Sequence, residues 1–174
     1  MVGSSGAGKT TLAAALADNL GLAHIELDSI YHQPGWVQTE HDEFVSGVEA
    51  RMEAANNRWV VCGNYINAGK GIQTARADTI VWVDLGRPLV TWRVTSRTVR
   101  RAITREELWN GNREPASNFY RWDPELNVIR WSWTQFGSTQ DYYELMSTDG
   151  TWAHADVHRL RTRAQVGNFL SSTA

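Results

Sequence analysis

The sequence lacks most of the features that would place it in a secreted or membrane class. It contains one cysteine, Cys62, so no disulfide can form within the chain, and this fits a reducing compartment. No apolar run approaches the length of a membrane span. The apolar residues near the N-terminus follow a glycine-rich stretch with no basic segment before it, so no signal peptide is predicted. We therefore expect a cytoplasmic protein without a membrane partner.

An excess of charge of one sign is also missing. The chain carries 17 Lys and Arg against 19 Asp and Glu, a formal net charge of -2. General nucleic-acid binders usually have a strong basic balance, so we expect no nucleic-acid partner. The five histidines have no metal-ligand spacing, and no zinc site is predicted. The nine tryptophans have no fixed spacing either, which favours packing in the core and lid, with base stacking as the alternative.

Predicted strands alternate with predicted helices along the chain. Helices are expected after the glycine-rich stretch, from Thr39, from Pro88 to about Arg105, from about Asn127 to Met146, and after Thr162. The predicted strands are AHIELD (23–28), RWVVCG (58–63), DTIVWVDL (78–85) and DVHRL (156–160). This alternation predicts an α/β fold with a parallel sheet between helical layers. We expect one domain over residues 1–174, with a lid-like insertion at about 105–127.

The strongest motif lies at the start of the chain. GSSGAGKT matches the P-loop, or Walker A, pattern G-x-x-x-x-G-K-[ST] at every fixed position, and an apolar helix pattern follows at once. Glycines let backbone N–H groups converge on a phosphate, and the helix adds its positive end. Lys9 is expected to reach the β- and γ-phosphates, and the Thr10 hydroxyl to bind Mg²⁺. The predicted nucleotide-binding residues are Gly3, Ser4, Ser5, Gly6, Ala7, Gly8, Lys9, Thr10 and Thr11.

Several segments together resemble one group of proteins. GSSGAGKTTLA, ELDSIYHQPGW, RWVVCGNY, RADTIVWVDLGRP and REELWNGNRE are similar to small bacterial P-loop proteins known as adenylate-kinase-like or as DNA topology modulation proteins. The resemblance covers roughly residues 1 to 130. It implies a nucleoside-monophosphate-kinase fold, with a five-stranded parallel sheet in the order 2-3-1-4-5 and a lid. No N-K-x-D motif of guanine-specific GTPases occurs, so ATP is the expected nucleotide.

The resemblance raises a question about the first strand. In such folds the P-loop follows a central strand, yet only Met1 and Val2 precede it here. We therefore expect the first strand to be largely missing at the N-terminus. Strands 3 and 4 of the sheet would then be left with unpaired backbone groups or be forced together.

The acceptor side is expected near the end of the second strand. Asp28 ends that predicted strand, at the rim where ligands bind in open α/β sheets. It could bind Mg²⁺ through water or accept a proton from a substrate hydroxyl, the roles of an acid here in shikimate- and gluconate-type kinases; a plain turn cap is the alternative. The resemblance also places His32 and Trp36, with Gly63 and Asn64, at the acceptor. Trp36 could stack on a base or cover the core.

Cys62 departs from the family pattern. In adenylate-kinase-like proteins the third strand often ends in Asp-Gly, and that Asp organises metal-bound water; here the dipeptide is Cys62-Gly63. A neutral thiol is a poor Mg²⁺ ligand. Either Asp28 takes the metal role alone or catalysis is weak, and the simplest interpretation of Cys62 is a small buried apolar residue. Asp84, which closes TIVWVD, is expected to be structural more than metal-binding.

A basic stripe follows the fourth strand. Arg93, Arg97, Arg101 and Arg105 recur every four residues and therefore share one helix face, with Arg100 beside them. Such a stripe needs an anion or acids from elsewhere, and the arginine fork suits phosphate.

The resemblance makes these arginines candidates for a phosphoryl clamp. Arg97, Arg101, Arg105 and lid residue Arg113 are the expected clamp residues. The alternative is a solvated face paired with acids of the lid. Those acids are Glu106, Glu107 and Glu114.

Two functions remain open at this point. The first is a small kinase that transfers the γ-phosphoryl group of Mg·ATP to a nucleotide or other small acceptor, with Lys9, Thr10, Asp28 and lid arginines. The second is an ATP-binding regulatory or DNA-associated protein with weak or no kinase activity. The acceptor and the oligomeric state do not follow from the sequence.

Overall fold

The computed structural model of the chain describes residues 1–65, 71–115 and 127–173. The helices are α1 Lys9–Leu20, α2 Leu27–Tyr31, α3 His41–Ala54, α4 Ile72–Ala75, α5 Arg87–Thr104, α6 Val128–Thr148 and α7 Arg163–Ser171. The strands are β1 Ala23–Glu26, β2 Trp59–Cys62, β3 Thr79–Val83 and β4 Asp156–Leu160. Within these ranges, no helix is long and apolar enough to cross a membrane. Residues 116–126 of the expected insertion lie outside the described part of the chain.

The strands form two parallel pairs. β1 pairs with β2 from Ala23 opposite Trp59 to Glu26 opposite Cys62. β3 pairs with β4 over five positions, beginning with Thr79 opposite Asp156. The mixed α/β class and the parallel pairing are therefore confirmed.

The two residues before the P-loop contact both strand pairs. Val2 N donates to Val81 O at 3.0 Å, and Val83 N donates to Val2 O at 2.9 Å, a parallel bridge to β3. The Met1 ammonium donates to Val61 O of β2 at 2.6 Å. Val2 is fully buried.

Helix α1 packs across both pairs through two kinds of side chain. Its leucines, Leu12 and Leu16, belong to the apolar cluster of β3. Its alanines, Ala13 and Ala17, pack with Val60 and Cys62 of β2. Because close-packed interiors need complementary volumes, small residues let the helix approach β2 while large ones reach β3. This packing holds the start of α1, and so the P-loop, at the carboxyl ends of β2 and β3.

Several local predictions are confirmed. Gly21 caps α1 in the left-handed region at φ 62°. Pro88 lies in the first turn of α5, and Thr162 forms a capping box with Gln165 at α7. The strand predicted over 156–160 has the bounds of β4.

Two boundary predictions near the acceptor side are wrong. The predicted strand 23–28 ends at Glu26, and the chain turns directly into α2. Leu27 and Ile30, three apart, both enter the apolar cluster under α3, and that shared burial favours a helical turn. Asp28 therefore lies in the first turn of α2 and does not end a strand.

Thr39 was the other misplaced boundary. It does not begin the next helix, because its hydroxyl donates to Ile30 O at 2.7 Å. Glu40 takes the cap position, and α3 begins at His41.

Candidate functional site

The P-loop backbone requires glycine at three positions. Gly3, Gly6 and Gly8 have φ values of 137°, 84° and 99°. A Cβ on Gly3 would lie 2.3 Å from Val83 O, and one on Gly6 would lie 2.6 Å from a methyl of Val94. The loop is thus closely packed between β3 and α5, and its conformation is set by contacts that no other residue type would allow.

The Lys9 side chain folds back over the P-loop, and its ammonium group contacts the loop carbonyls. Its Nζ donates to Gly3 O at 2.7 Å and to Ser4 O at 3.0 Å. Burial lowers the pKa of the Lys9 ammonium to about 8, and the neighbouring Asp28 carboxylate partly opposes that shift. The amine is therefore held at the loop by carbonyl oxygens, in a setting where an added anion would be strongly favoured.

Side chains from distant elements fix the loop. Asn64, two residues after β2, donates to Gly3 O and accepts from the Tyr143 hydroxyl at 3.0 Å. Arg93 of α5 donates to Ala7 O at 3.0 Å. Because these donors come from other elements of the fold, they stabilise the loop in one conformation.

A cleft of about 1700 Å³ runs from the P-loop to the expected acceptor side, which is formed by Asp28, His32 and Trp36. The predicted site residues that line it are Ser5, Gly6, Ala7, Gly8, Lys9, Thr10, Thr11, Asp28, His32, Trp36, Gly63, Asn64, Arg97 and Arg101. Gly3 and Ser4 are buried beneath the loop. Arg105 and Arg113 are exposed and do not line the cleft.

The arginine stripe is divided among different partners. Four residues turn a helix by more than one full turn, so each successive arginine points further round the helix. Arg97 faces the cleft, and its buried Nε has no hydrogen-bond partner among the described residues. Burial, followed by the neighbouring Arg101 charge, lowers the pKa of the Arg97 guanidinium. Arg105 is the exposed left-handed cap of α5, at φ 50°.

Lid acids pair with the remaining cations, as the alternative interpretation of the stripe predicted. Arg101 lies 3.8 Å from Glu106 and 3.9 Å from Glu114. Arg113 lies 3.8 Å from Glu107, with both side chains more than half exposed. The exposed pair of Arg113 with Glu107 contributes little stability, so it mainly balances local charge.

Asp28 belongs to a hydrogen-bonded chain on the acceptor side. The Tyr65 hydroxyl donates to Asp28 Oδ1 at 2.5 Å, and the same hydroxyl lies 3.2 Å from His32 Nε2. Burial and the Asp28 charge raise the pKa of Tyr65, which therefore stays protonated. Burial lowers the pKa of His32 and favours the neutral ring, although Asp28 acts in the opposite direction.

Two of the segments that carry the resemblance, ELDSIYHQPGW (26–36) and REELWNGNRE (105–114), contact each other. Residues 106–114 contact residues 28–38 through the side chains of Asn110 and Asn112. Asn112 Oδ1 accepts from Trp36 N at 3.0 Å, and its Nδ2 donates to Gln33 O at 2.9 Å. The buried Asn112 amide thus connects the lid side of the cleft to the acceptor side.

Neighbouring residues extend this contact to β1. Asn110 Nδ2 donates to His32 O at 2.6 Å, and Trp109 Nε1 donates to Glu26 Oε2 at 2.6 Å. The Trp109 ring stacks on His32 with 6.2 Å between centroids, and the Arg101 guanidinium lies 5.8 Å from the same ring. Trp109 is therefore a wall of the acceptor side.

Cys62 is buried at the floor of the cleft. Its side chain is 3% exposed, and its Sγ lies 3.8 Å from Thr10 Oγ1 and 3.3 Å from His24 Nε2. Burial raises the pKa of the thiol to about 11, despite the Thr10 contact, so the sulfur is neutral at pH 7. This matches the interpretation of Cys62 as a small buried residue.

The Asp84 carboxylate lies among arginine side chains of the fold. Its Oδ2 accepts from Arg159 Nε at 2.7 Å and lies 3.7 Å from Arg161. The Arg159 guanidinium also lies 3.8 Å from the Trp82 ring. Asp84 is absent from the lining of the cleft, which agrees with the expectation of a structural role.

Sequence reasoning missed three residues of the site. Tyr65 bonds to Asp28, Glu26 bonds to Trp109, and Arg93 holds the P-loop. Tyr65 and Glu26 each lie within three residues of a strand end, and that position could have drawn attention to them. Nothing local to Arg93 distinguishes it from the other arginines of the stripe.

Comparisons with known proteins add no relative. No protein-family model matches the chain, and no curated protein sequence matches it.

Proposed function

We propose that the protein is a P-loop phosphotransferase that binds Mg·ATP at residues 3–11 and transfers its γ-phosphoryl group to a small acceptor. One observation carries the proposal: Lys9 and Arg97, two desolvated cations, face the same cleft as the Asp28 carboxylate. Phosphoryl transfer needs positioning and charge neutralisation, and this set of groups can supply both.

The proposed sheet order supports the assignment. With Met1 bonded to β2 and Val2 bonded to β3, the order would be β1, β2, residues 1–2, β3, β4. That arrangement corresponds to the order 2-3-1-4-5 of the nucleoside-monophosphate-kinase fold. A P-loop between the central strand and its helix would then point at the switch between the two halves of the sheet.

Each phosphate-side residue has a role that follows from its position. The N–H groups of the loop and the first turn of α1 would hold the phosphates. Lys9 would exchange its two carbonyl contacts for β- and γ-phosphate oxygens, and Arg97 would pair with the transferring group.

Mg²⁺ fits the phosphate side, where the protein would supply only a few of its ligands. Thr10 has an exposed hydroxyl at the start of α1, and Asp28 could contact the ion through water. Among the described residues, no group of three or more His, Cys, Asp or Glu side chains could hold a metal, so phosphate oxygens and water would complete the shell. The ion would supply neutralisation of charge on the phosphates.

The proposal is tested by ADP release from Mg·ATP. We expect release to rise in the presence of one acceptor class from a panel of nucleosides, nucleoside monophosphates and sugars. Calorimetry should detect Mg·ATP binding without any acceptor. Binding of Mg·ATP with no acceptor-dependent release would favour the regulatory function instead, and salt-sensitive DNA binding would support its DNA-associated form.

Replacement of Cys62 by aspartate is expected to raise turnover several-fold. A carboxylate at the position of Sγ, 3.8 Å from Thr10 Oγ1, would add a hard oxygen beside the proposed metal position. Turnover is measured against Mg²⁺ concentration, with Cys62→Ser as the size-matched control. Unchanged turnover together with an unchanged Mg²⁺ dependence would contradict this prediction.

A further inference from the structure

On the acceptor side, one hydrogen-bonding atom, His32 Nδ1, receives no hydrogen bond from any described residue. Ionised Asp28 can only accept, so the Tyr65 hydroxyl must donate its proton to Oδ1. The Tyr65 oxygen can then accept from His32 Nε2–H, which assigns the ring proton to Nε2. His32 Nδ1 is left with a lone pair, and this buried atom has no partner within the described ranges.

A second feature is the distribution of charge along the cleft. Cations without ion pairs among the described residues, Lys9 and Arg97, lie on the phosphate side with the P-loop. On the lid side, Arg101 is balanced by Glu106 and Glu114. The acceptor side itself contributes the Asp28 carboxylate, and a phosphate dianion placed against it would be repelled.

A third feature is the shape of the walls. Aromatic faces enclose the acceptor side, with His32 stacked on Trp109 and 5.1 Å from the Trp36 ring. The indole N–H groups are already used, because Trp36 Nε1 donates to Arg113 O at 3.0 Å and Trp109 Nε1 donates to Glu26. These walls therefore offer apolar ring surface and few polar atoms, and they suit a flat or ring-shaped molecule.

We propose that the acceptor is a neutral ring-bearing alcohol, such as a nucleoside or a sugar, and not a nucleoside monophosphate. The proposal rests on the phosphotransferase function above. Asp28 accepts the proton of the reacting hydroxyl, and His32 Nδ1 accepts from a second hydroxyl or an N–H group of the same molecule. Trp36 and Trp109 contact its ring.

The reaction balances without another reactant. The acceptor oxygen forms a bond to the γ-phosphorus of ATP, and the bond from that phosphorus to the β,γ-bridging oxygen breaks. ADP leaves with the electron pair of that bond. The hydroxyl proton passes to Asp28 and then to water. A phosphate acceptor would bring no proton that needs this carboxylate, so Asp28 is informative about the acceptor class.

The test compares matched pairs of ligands. Uridine is compared with uridine monophosphate, and ribose with ribose 5-phosphate, by tryptophan fluorescence and calorimetry. A non-hydrolysable ATP analogue with Mg²⁺ fills the phosphate side throughout. We expect at least one neutral compound to bind at least 10-fold more tightly than its phosphorylated partner. The two pairs distinguish a nucleoside from a free sugar.

Two variants separate the roles of the proposed residues. Asp28→Asn should lower phosphorylation of the preferred alcohol by about 10²- to 10⁴-fold. His32→Phe keeps a ring beside Trp109 and removes Nδ1, and should weaken alcohol binding about 10-fold. Tyr65→Phe removes the hydroxyl that connects Asp28 with His32. Because Asp28 then loses a hydrogen bond, kcat should change, and the KM for the acceptor should change less.

The outcomes are distinguishable. Equal or tighter binding of the monophosphates overturns the acceptor proposal, and so does binding of the ATP analogue with no binding of any neutral compound. If the ATP analogue fails to bind, or binds Lys9→Ala equally well, the phosphotransferase function fails and the acceptor proposal falls with it.

Discussion

Lys9→Ala is expected to lower ATP turnover by about 10²- to 10³-fold, the range found when one preorganised charge-stabilising donor is removed. Its Nζ already lies at the loop carbonyls, 2.7 Å from Gly3 O, and no described side chain holds it elsewhere. Turnover and ATP affinity are measured beside Arg51→Ala, an exposed position on α3 that also loses one positive charge. An unchanged rate in Lys9→Ala would exclude P-loop chemistry.

The lowered pKa of Lys9 also predicts that protons are taken up when ATP binds. Burial lowers the pKa of Lys9 to about 8 in the ligand-free protein, so near pH 8 about half of the amine is neutral. Bound phosphates would raise that pKa, and ATP binding should take up a fraction of a proton. Calorimetry in buffers of different ionisation enthalpy measures this uptake. Lys9→Arg, which cannot lose its charge, is the matched control and should show none from this position.

The lowered pKa of Lys9 also predicts how the free energy of unfolding changes with pH. Because the pKa of Lys9 is lower in the folded chain than its ordinary value of 10.5, the folded state is penalised below about pH 8 and that penalty disappears toward pH 10.5. Lys9→Met should therefore be more stable than the wild type below pH 8. The difference should narrow as the pH rises, and thermal unfolding across this range measures it.

Arg97→Met is expected to lower turnover by about 10³-fold, the low end of arginine contributions to phosphoryl transfer, and to raise the melting temperature. The guanidinium Nε is buried without a partner among residues of the described ranges, and the Arg101 charge lies nearby. Burial and the Arg101 charge lower the pKa of the Arg97 guanidinium more than the Glu114, Asp28 and Glu106 carboxylates raise it. The charge therefore destabilises the ligand-free fold, and an apolar side chain of similar length should stabilise it.

The control for Arg97 is Arg51→Met, which changes an exposed arginine of α3 and should alter neither property. A fall in melting temperature with unchanged turnover would assign Arg97 a structural role. Opposite changes in turnover and stability are expected when a residue is kept for function at the expense of the fold.

Local sequence predicted the elements whose causes are local. The helix after the P-loop, its cap at Gly21 and the capping box of Thr162 with Gln165 depend on contacts within a few residues. The wrong boundary at Asp28 arose because α2 is stabilised by packing of Leu27 and Ile30 on α3, a helix that begins at His41. Such packing lies outside any short window of sequence.

The sequence by itself determined the backbone of the glycine-rich loop before α1, because only glycine fits the positive φ values of Gly3, Gly6 and Gly8. Tertiary structure decided the partners of the evenly spaced stripe arginines. Arg93 holds the loop, Arg97 has no ion pair among the described residues, Arg101 pairs with lid acids, and Arg105 is exposed. It also decided the partner of Asp28, since the Tyr65 hydroxyl, 37 residues further along the chain, donates to that carboxylate and also contacts His32. Charge and hydrogen bonding depend on distance in space, and spacing along one helix cannot supply that distance.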